Sequence, residues 1–143
     1  MTSTVSAQIT AGSCLCGAVK YQLQGAASVF QYCHCSRCRK VTGSAHASNM
    51  FVAPEQFSWL QGESLVQRFE PQDSRHFATC FCQQCGSNLP WMNKGGTLVI
   101  IPAGTLDEDP QVRPSQNIFW DSRAPWYQGS DSLTTFGALP KRK

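Results

Sequence analysis

The sequence predicts a mainly β fold, and three observations carry that prediction. Short runs alternate apolar and polar residues with a period of two, the pattern of a strand with one buried face. Turn-forming residues punctuate those runs at regular intervals. No window sustains the i, i+3, i+4, i+7 spacing of an amphipathic helix over three turns. Many short strands with frequent turns indicate layered β-sheet rather than helical packing.

The first clear strand lies within 17–25, where Val19, Tyr21 and Leu23 alternate with Lys20, Gln22 and Gln24. Strand-like runs follow over 28–32, 45–52, 65–70, 76–81, 97–102 and 117–120. Between them stand Gly43-Ser44, Ala53-Pro54, Gln61-Gly62, Pro71-Gln72-Asp73, Lys94-Gly95-Gly96 and Asp109-Pro110. These residues supply positive φ, a fixed φ or local side-chain hydrogen bonds, and so break strands. Helices are expected only as short pieces. One covers 36–41 with Ser36 as its N-cap, and a turn opened by Pro54 covers 54–57.

The 143 residues suffice for one domain with a modest core, and no linker, repeat or low-complexity stretch divides them. Residues 12–136 read as that domain, between an N-terminal tail of 1–11 and a basic C-terminal tail of 137–143. Hydrophobic residues make up 41% and charged residues 15%, which excludes a disordered polyelectrolyte and a coiled coil. No apolar run approaches 18 residues, so no membrane span is expected. The first dozen residues lack a basic segment and an apolar segment, which argues against export and for a cytoplasmic protein. The net charge of +3 is mild and rests partly on Lys141-Arg142-Lys143, so no nucleic-acid partner is implied.

Eight cysteines stand out. They fall into three clusters: Cys14 and Cys16; Cys33, Cys35 and Cys38; Cys80, Cys82 and Cys85. Neighbours two or three residues apart bridge poorly as disulfides, and a cytoplasmic chain keeps its thiols reduced. The same spacing suits a tetrahedral ion, which gathers several sulfurs about 2.3 Å from one point. Cys82-Gln83-Gln84-Cys85-Gly86 reads as a zinc knuckle, a tight turn that Gly86 closes with positive φ. Eight thiols allow two closed four-sulfur sites, or one closed site, one open site and a thiol left over. Counting alone does not choose between them.

The stretch Gly12-Ser13-Cys14-Leu15-Cys16-Gly17-Ala18-Val19, with Cys33-His34-Cys35-Ser36-Arg37-Cys38-Arg39-Lys40 and Gly43-Ser44, resembles the glutathione-dependent formaldehyde-activating family, which includes centromere protein V. The resemblance continues through Phe81-Cys82-Gln83-Gln84-Cys85-Gly86-Ser87, Gly104-Thr105-Leu106-Asp107 and Ile118-Phe119-Trp120-Asp121-Ser122-Arg123-Ala124-Pro125-Trp126-Tyr127. It spans about residues 12–136, and Asn117 stands where many members carry histidine. The resemblance implies a small Mss4-like zinc-binding fold of several short antiparallel sheets with few short helices. It implies two zinc ions per chain: a structural one on Cys14, Cys16, Cys82 and Cys85, and a catalytic one on Cys33, Cys35 and Cys38. It also implies a carbon–sulfur lyase type of activity, in which glutathione adds to formaldehyde to give S-hydroxymethylglutathione. The partner is then a small thiol. The competing reading is a non-catalytic zinc module that binds a small thiol or a protein, favoured if Cys80 closes the second site.

A thiol entering the open position of a three-thiolate zinc loses its proton near neutral pH and becomes a nucleophile for a carbonyl. Arg37, Arg39 and Lys40 beside the site are candidates to offset its charge or hold a substrate carboxylate, against the alternative of a solvated basic turn. His34, between two ligands, is expected to point away from the metal, in a supporting or surface role. His46 is a candidate acid or base whose default is simple packing, and His76 has no supporting context. Cys80 reads as a buried spare thiol. Phe119, Trp120, Trp126 and Tyr127 read as packing residues, with pocket lining as the alternative. No Ser-His-Asp arrangement or carboxylate pair is present to propose.

Overall fold

The computed structural model of the protein describes residues 8–141, so residues 1–7, Arg142 and Lys143 lie outside the described residues. The fold is mainly β, with 11 strands in three sheets among the described residues. The first sheet has the order β1 (Ile9–Ser13), β2 (Lys20–Gln24), β5 (Phe57–Gln61). The second has the order β11 (Gln116–Ile118), β3 (Val29–Cys33), β4 (Ala47–Val52), β10 (Val99–Pro102), β9 (Trp91–Met92). The third is β6 (Val66–Phe69), β7 (Thr79–Cys82), β8 (Asn88–Leu89). One helix, α1 (Ser36–Thr42), follows β3. No helix among the described residues is long and apolar enough to cross a membrane.

The second sheet places the site. Successive side chains of a strand point to opposite faces, so each of its strands serves two environments. One face carries Met50 and Val52 of β4 with Val99 and Ile101 of β10. These pack against Tyr21 and Leu23 of β2 to form the main core, with Phe30, Phe57 and Trp59 against it. The interleaved residues Gln31, Cys33, Asn49, Phe51 and Ile100 line a cavity instead. Apolar residues on both faces explain the unbroken run Val99-Ile100-Ile101, whose members are all buried.

The periodicity of 17–25 corresponds to β2, where Val19, Tyr21 and Leu23 are buried as the alternation requires. The other expected runs contain β3, β4, β6, β7, β10 and β11. Four strands lack a sequence signal, and one of them moves a boundary. β1 begins at Ile9 and pairs with β2, so residues 9–11 belong to a sheet although the sequence places them in a tail. Its ITAGS composition is too small and mixed to alternate visibly. β8 and β9 have two residues each and take their conformation from their partners, while β5 is as long as β2 but its exposed Leu60 breaks the alternation. β11 pairs with β3 in parallel, which departs from an all-antiparallel expectation, and Trp120 lies in a 3₁₀ turn rather than in the strand. The cap of α1 is also corrected: Cys35, not Ser36, is the N-cap, and its sulfur accepts a hydrogen bond from the Cys38 amide at 3.4 Å.

β1 explains one of its own residues. Gly12 pairs with Tyr21, and the Tyr21 ring lies where a Gly12 Cβ would stand. The Tyr21 hydroxyl is then 2.6 Å from the Thr105 hydroxyl, and burial pushes its pKa up. A glycine facing an aromatic ring in this way lets the ring cover the backbone. Gly12→Ala is expected to destabilise the protein by about 1–3 kcal/mol through overpacking, read as a lower midpoint of chemical denaturation. An unchanged midpoint would contradict this packing.

Candidate functional site

Among the described residues, two groups of cysteines converge so that their ligand atoms lie within 4.8 Å of one another: Cys14, Cys16, Cys82 and Cys85, and Cys33, Cys35 and Cys38. All eight cysteines are free. The first group joins two turns far apart in sequence. Cys14 follows β1, and Cys82 ends β7. The Cys82 turn is closed by Gly86, whose amide donates to the Cys82 carbonyl at 2.7 Å and whose φ is 79°, as the knuckle reading requires. The sulfurs of Cys14 and Cys16 are 3.6 Å apart, and those of Cys16 and Cys82 are 3.9 Å apart. The Val19 amide donates to the Cys14 sulfur at 3.3 Å and the Gln84 amide to the Cys82 sulfur at 3.4 Å. The Ser87 hydroxyl, 3.2 Å from the Cys85 sulfur, holds the Cys85 thiol down at about 5.

The second group sits where β3 runs into α1. Cys33 is the last residue of β3, paired with Ala47 on one side and Ile118 on the other. Cys35 caps the helix, and Cys38 follows on its first turn. The three thiols share hydrogen bonds. Cys33 and Cys38 hold the Cys35 thiol down at about 2, while Cys33 and Cys35 push the Cys38 thiol upward. Cys35 pushes the Cys33 thiol up as well. Without a cation, such a cluster ionises once and holds its remaining protons.

A cavity of about 640 Å³ opens over this group and is lined by Cys33, Cys35 and Cys38. Of the three basic residues singled out beside the cysteines, Arg37 lines it, while Arg39 and Lys40 lie outside its lining. Arg37 is engaged by Asp73, at 3.3 Å from the carboxylate and 3.4 Å from the backbone carbonyl. The Arg39 Nε is buried without a partner among the described residues. The lining also includes Arg75, His76, Phe77 and Trp91, none of which the sequence singles out for the site, apart from naming His76 without context. Their signal is absent because they enter from the loop before β7 and from β9, which only long-range strand pairing brings to β3.

His34 is fully buried, so the surface role does not apply. Its Nε2 meets the Asn117 side-chain oxygen at 2.9 Å, and its Nδ1 is unpartnered among the described residues. Trp120 and Tyr127 stand edge-on to its ring at 5.0 and 5.3 Å, so both are packing residues. Phe119 instead lines the cavity. His46 stacks on Tyr32 at 4.2 Å, outside the cavity lining, and burial lowers its pKa. Cys80 belongs to neither cysteine group. It is buried in a cluster with Val19, Cys82 and Leu89, and burial pushes its thiol up.

A family profile described as glutathione-dependent formaldehyde-activating enzyme matches residues 9–122. A crystal structure of a Rhodobacter sphaeroides protein is similar in fold, with a TM-score of 0.56 and 18% identity, over 75% of this chain and 98% of that one. No curated protein matches the chain by sequence.

The thiol environments set a pH order. A metal ion at Cys33, Cys35 and Cys38 displaces protons that Cys33 and Cys38 hold above their ordinary range. Its affinity therefore drops as the pH drops, by about tenfold per unit for each displaced proton. The four-cysteine group likewise displaces protons, with Cys85 low but Cys16 pushed up to about 11, and its advantage is the fourth sulfur. On acidification the three-cysteine centre is expected to release its metal first, as followed with a chromogenic chelator; simultaneous release, or the reverse order, would contradict this. Cys80→Ala is expected to leave the metal content unchanged and to cost about 1 kcal/mol by emptying a small buried volume. Loss of a metal ion in that variant would make Cys80 a ligand.

Proposed function

The chain belongs to the glutathione-dependent formaldehyde-activating enzyme family, and on that premise we propose that it makes or breaks a carbon–sulfur bond between a small thiol and an aldehyde, such as glutathione and formaldehyde, at the Cys33, Cys35 and Cys38 centre. The observation that carries this reading is the pairing of a three-sulfur group with a cavity that opens onto it, while a separate four-sulfur group stands apart.

The donor set fits zinc. Thiolates suit a soft or borderline divalent ion, and bonds of about 2.3 Å at tetrahedral angles place sulfurs about 3.8 Å apart. The 3.6 and 3.9 Å separations in the four-cysteine group bracket that edge. Cys14, Cys16, Cys82 and Cys85 would hold a closed structural ion, and Cys33, Cys35 and Cys38 an ion with one position free. Bound there, zinc supplies a lowered thiol pKa at that free position.

The residues of the chain do the rest. Cys33, Cys35 and Cys38 fix the point at which the substrate sulfur is presented, and Phe77 packs on their side to exclude water. The exposed Arg37–Asp73 pair links α1 to the loop before β7, one weak contact between the two walls of the cavity. In the forward direction the thiolate sulfur bonds to the aldehyde carbon. The carbonyl π pair moves to oxygen, which takes a proton equivalent to the one the thiol lost, so no outside oxidant or reductant is needed. The reverse step returns the same atoms. The non-catalytic alternative lacks the support that a Cys80 ligand would have given it, since Cys80 lies outside both groups.

Cys35→Ser removes a ligand of the open centre without touching the other. It is expected to abolish turnover of thiol and aldehyde to the hydroxymethyl thioether while leaving a folded protein with one zinc ion per chain, measured by product assay and metal analysis. Full activity in that variant would sink the proposal.

A further inference from the structure

We propose, resting on the carbon–sulfur chemistry assigned to the three-cysteine centre, that the thiol taken there has an aromatic or otherwise apolar body with a single carboxylate at its far end, and that Arg75 binds that carboxylate. The cavity of about 640 Å³ falls within the range of ligand pockets, roughly 300–1,000 Å³. It far exceeds what a one-carbon aldehyde fills. Its walls between the cysteines and the mouth are apolar: Phe77 and Trp91 stand as a tilted pair with centroids 5.3 Å apart, and Phe51 and Ile100 come from the sheet. Phe119 completes the wall from a left-handed backbone at φ 54°, a conformation uncommon for non-glycine residues and often found where function fixes a side chain.

Several polar groups of the lining are committed elsewhere, while the side chains of Asn49 and His76 make no hydrogen bond among the described residues. Gln31 accepts from Gln116 at 2.6 Å, and the Asn93 side chain is taken by Thr97 and the Leu98 amide. Arg37 is engaged by Asp73, which neutralises both. Arg75 has no ion pair or side-chain hydrogen bond among the described residues and is exposed at the mouth, beside His76. Its loop is braced on both sides. The Lys94 ammonium donates to the Pro71 carbonyl at 2.9 Å and to the Ser74 carbonyl at 2.5 Å, and the Phe77 amide donates to the Ser74 hydroxyl at 2.9 Å. One uncommitted guanidinium, carried on a braced loop, therefore stands at the exposed end of a largely apolar passage.

A tripeptide thiol with two carboxylates, an ammonium and two amides would bring more polar groups than this passage can pair, and each unpaired group costs desolvation. An aryl thiol with one carboxylate presents one charge to the one unpaired guanidinium and apolar surface to the aromatic walls. Its ring packs on Phe77 and Trp91, its carboxylate meets Arg75 in a charge-assisted pair, and its sulfur reaches the three cysteines.

The test is calorimetric titration of the zinc-loaded protein with para-(mercaptomethyl)benzoate, its uncharged counterpart benzyl mercaptan, glutathione, and mercaptoethanol as a minimal thiol. Para-(mercaptomethyl)benzoate is expected to bind at least about tenfold tighter than glutathione. Arg75→Ala is expected to weaken it about tenfold while leaving benzyl mercaptan and the metal content unchanged. Equal or tighter binding of glutathione, or equal weakening of both aryl thiols by Arg75→Ala, would overturn the proposal while mercaptoethanol binding still upheld the carbon–sulfur reading. Failure of every thiol to bind, mercaptoethanol included, would overturn that reading and this inference with it.

Discussion

Thiols packed within 4.8 Å of one another can ionise together only around a cation, and that electrostatic constraint orders the rest of the molecule. It acts twice. In the four-cysteine group it couples the end of β1 to the end of β7, closing a loop of some 70 residues that a chain of this size would otherwise hold by packing alone. In the three-cysteine group the constraint is only partly met by the protein. Three sulfurs come from one continuous segment, the β3–α1 junction, and nothing from the rest of the described chain arrives as a fourth.

The division of labour follows from where each group lies on the sheets. In the four-cysteine group Cys14 and Cys82 rest in a small core containing Val19 and Leu89 while Cys16 is exposed, so it is the fourth sulfur, rather than burial, that favours permanence over access. The three-cysteine group sits on the second sheet opposite the main core. There the period of two that buries Met50, Val52, Val99 and Ile101 also delivers Cys33, Phe51 and Ile100 to the cavity. Stability and chemistry thus draw on the two faces of the same strands. The consequence is that β10 is apolar on both sides, that β4 sets Phe51 beside Asn49 on the cavity face, and that the site walls are sheet, with one helix and one braced loop added.

The sequence alone makes the ligands legible and leaves the cavity hidden, for a physical reason. Metal ligands within a turn are constrained by covalent spacing, so Cys33, Cys35 and Cys38, or Cys82 and Cys85, declare themselves locally. The partition of the remaining thiols came from family resemblance, and the structure agrees by leaving Cys80 outside both groups. Strands such as β2 were legible because one face meets water and the other the core; β1, β8 and β9 were not, because small or two-residue segments carry no measurable period. Arg75, Phe77 and Trp91 join the site only through the strand order within the second sheet and the path of the loop between β6 and β7. No local pattern encodes that. The cap at Cys35 shows the same limit at short range, since a serine beside it looked the better acceptor until the sulfur was seen to face the Cys38 amide.

The central claim is that one metal centre is closed by four sulfurs and the other is open at three. The measurement that reaches it most directly is zinc X-ray absorption on the fully loaded protein, before and after addition of a saturating small thiol. A mean sulfur coordination between three and four that rises to four when the thiol is added is expected. A value of four from the outset, or a lower value that the thiol leaves unchanged, would contradict it.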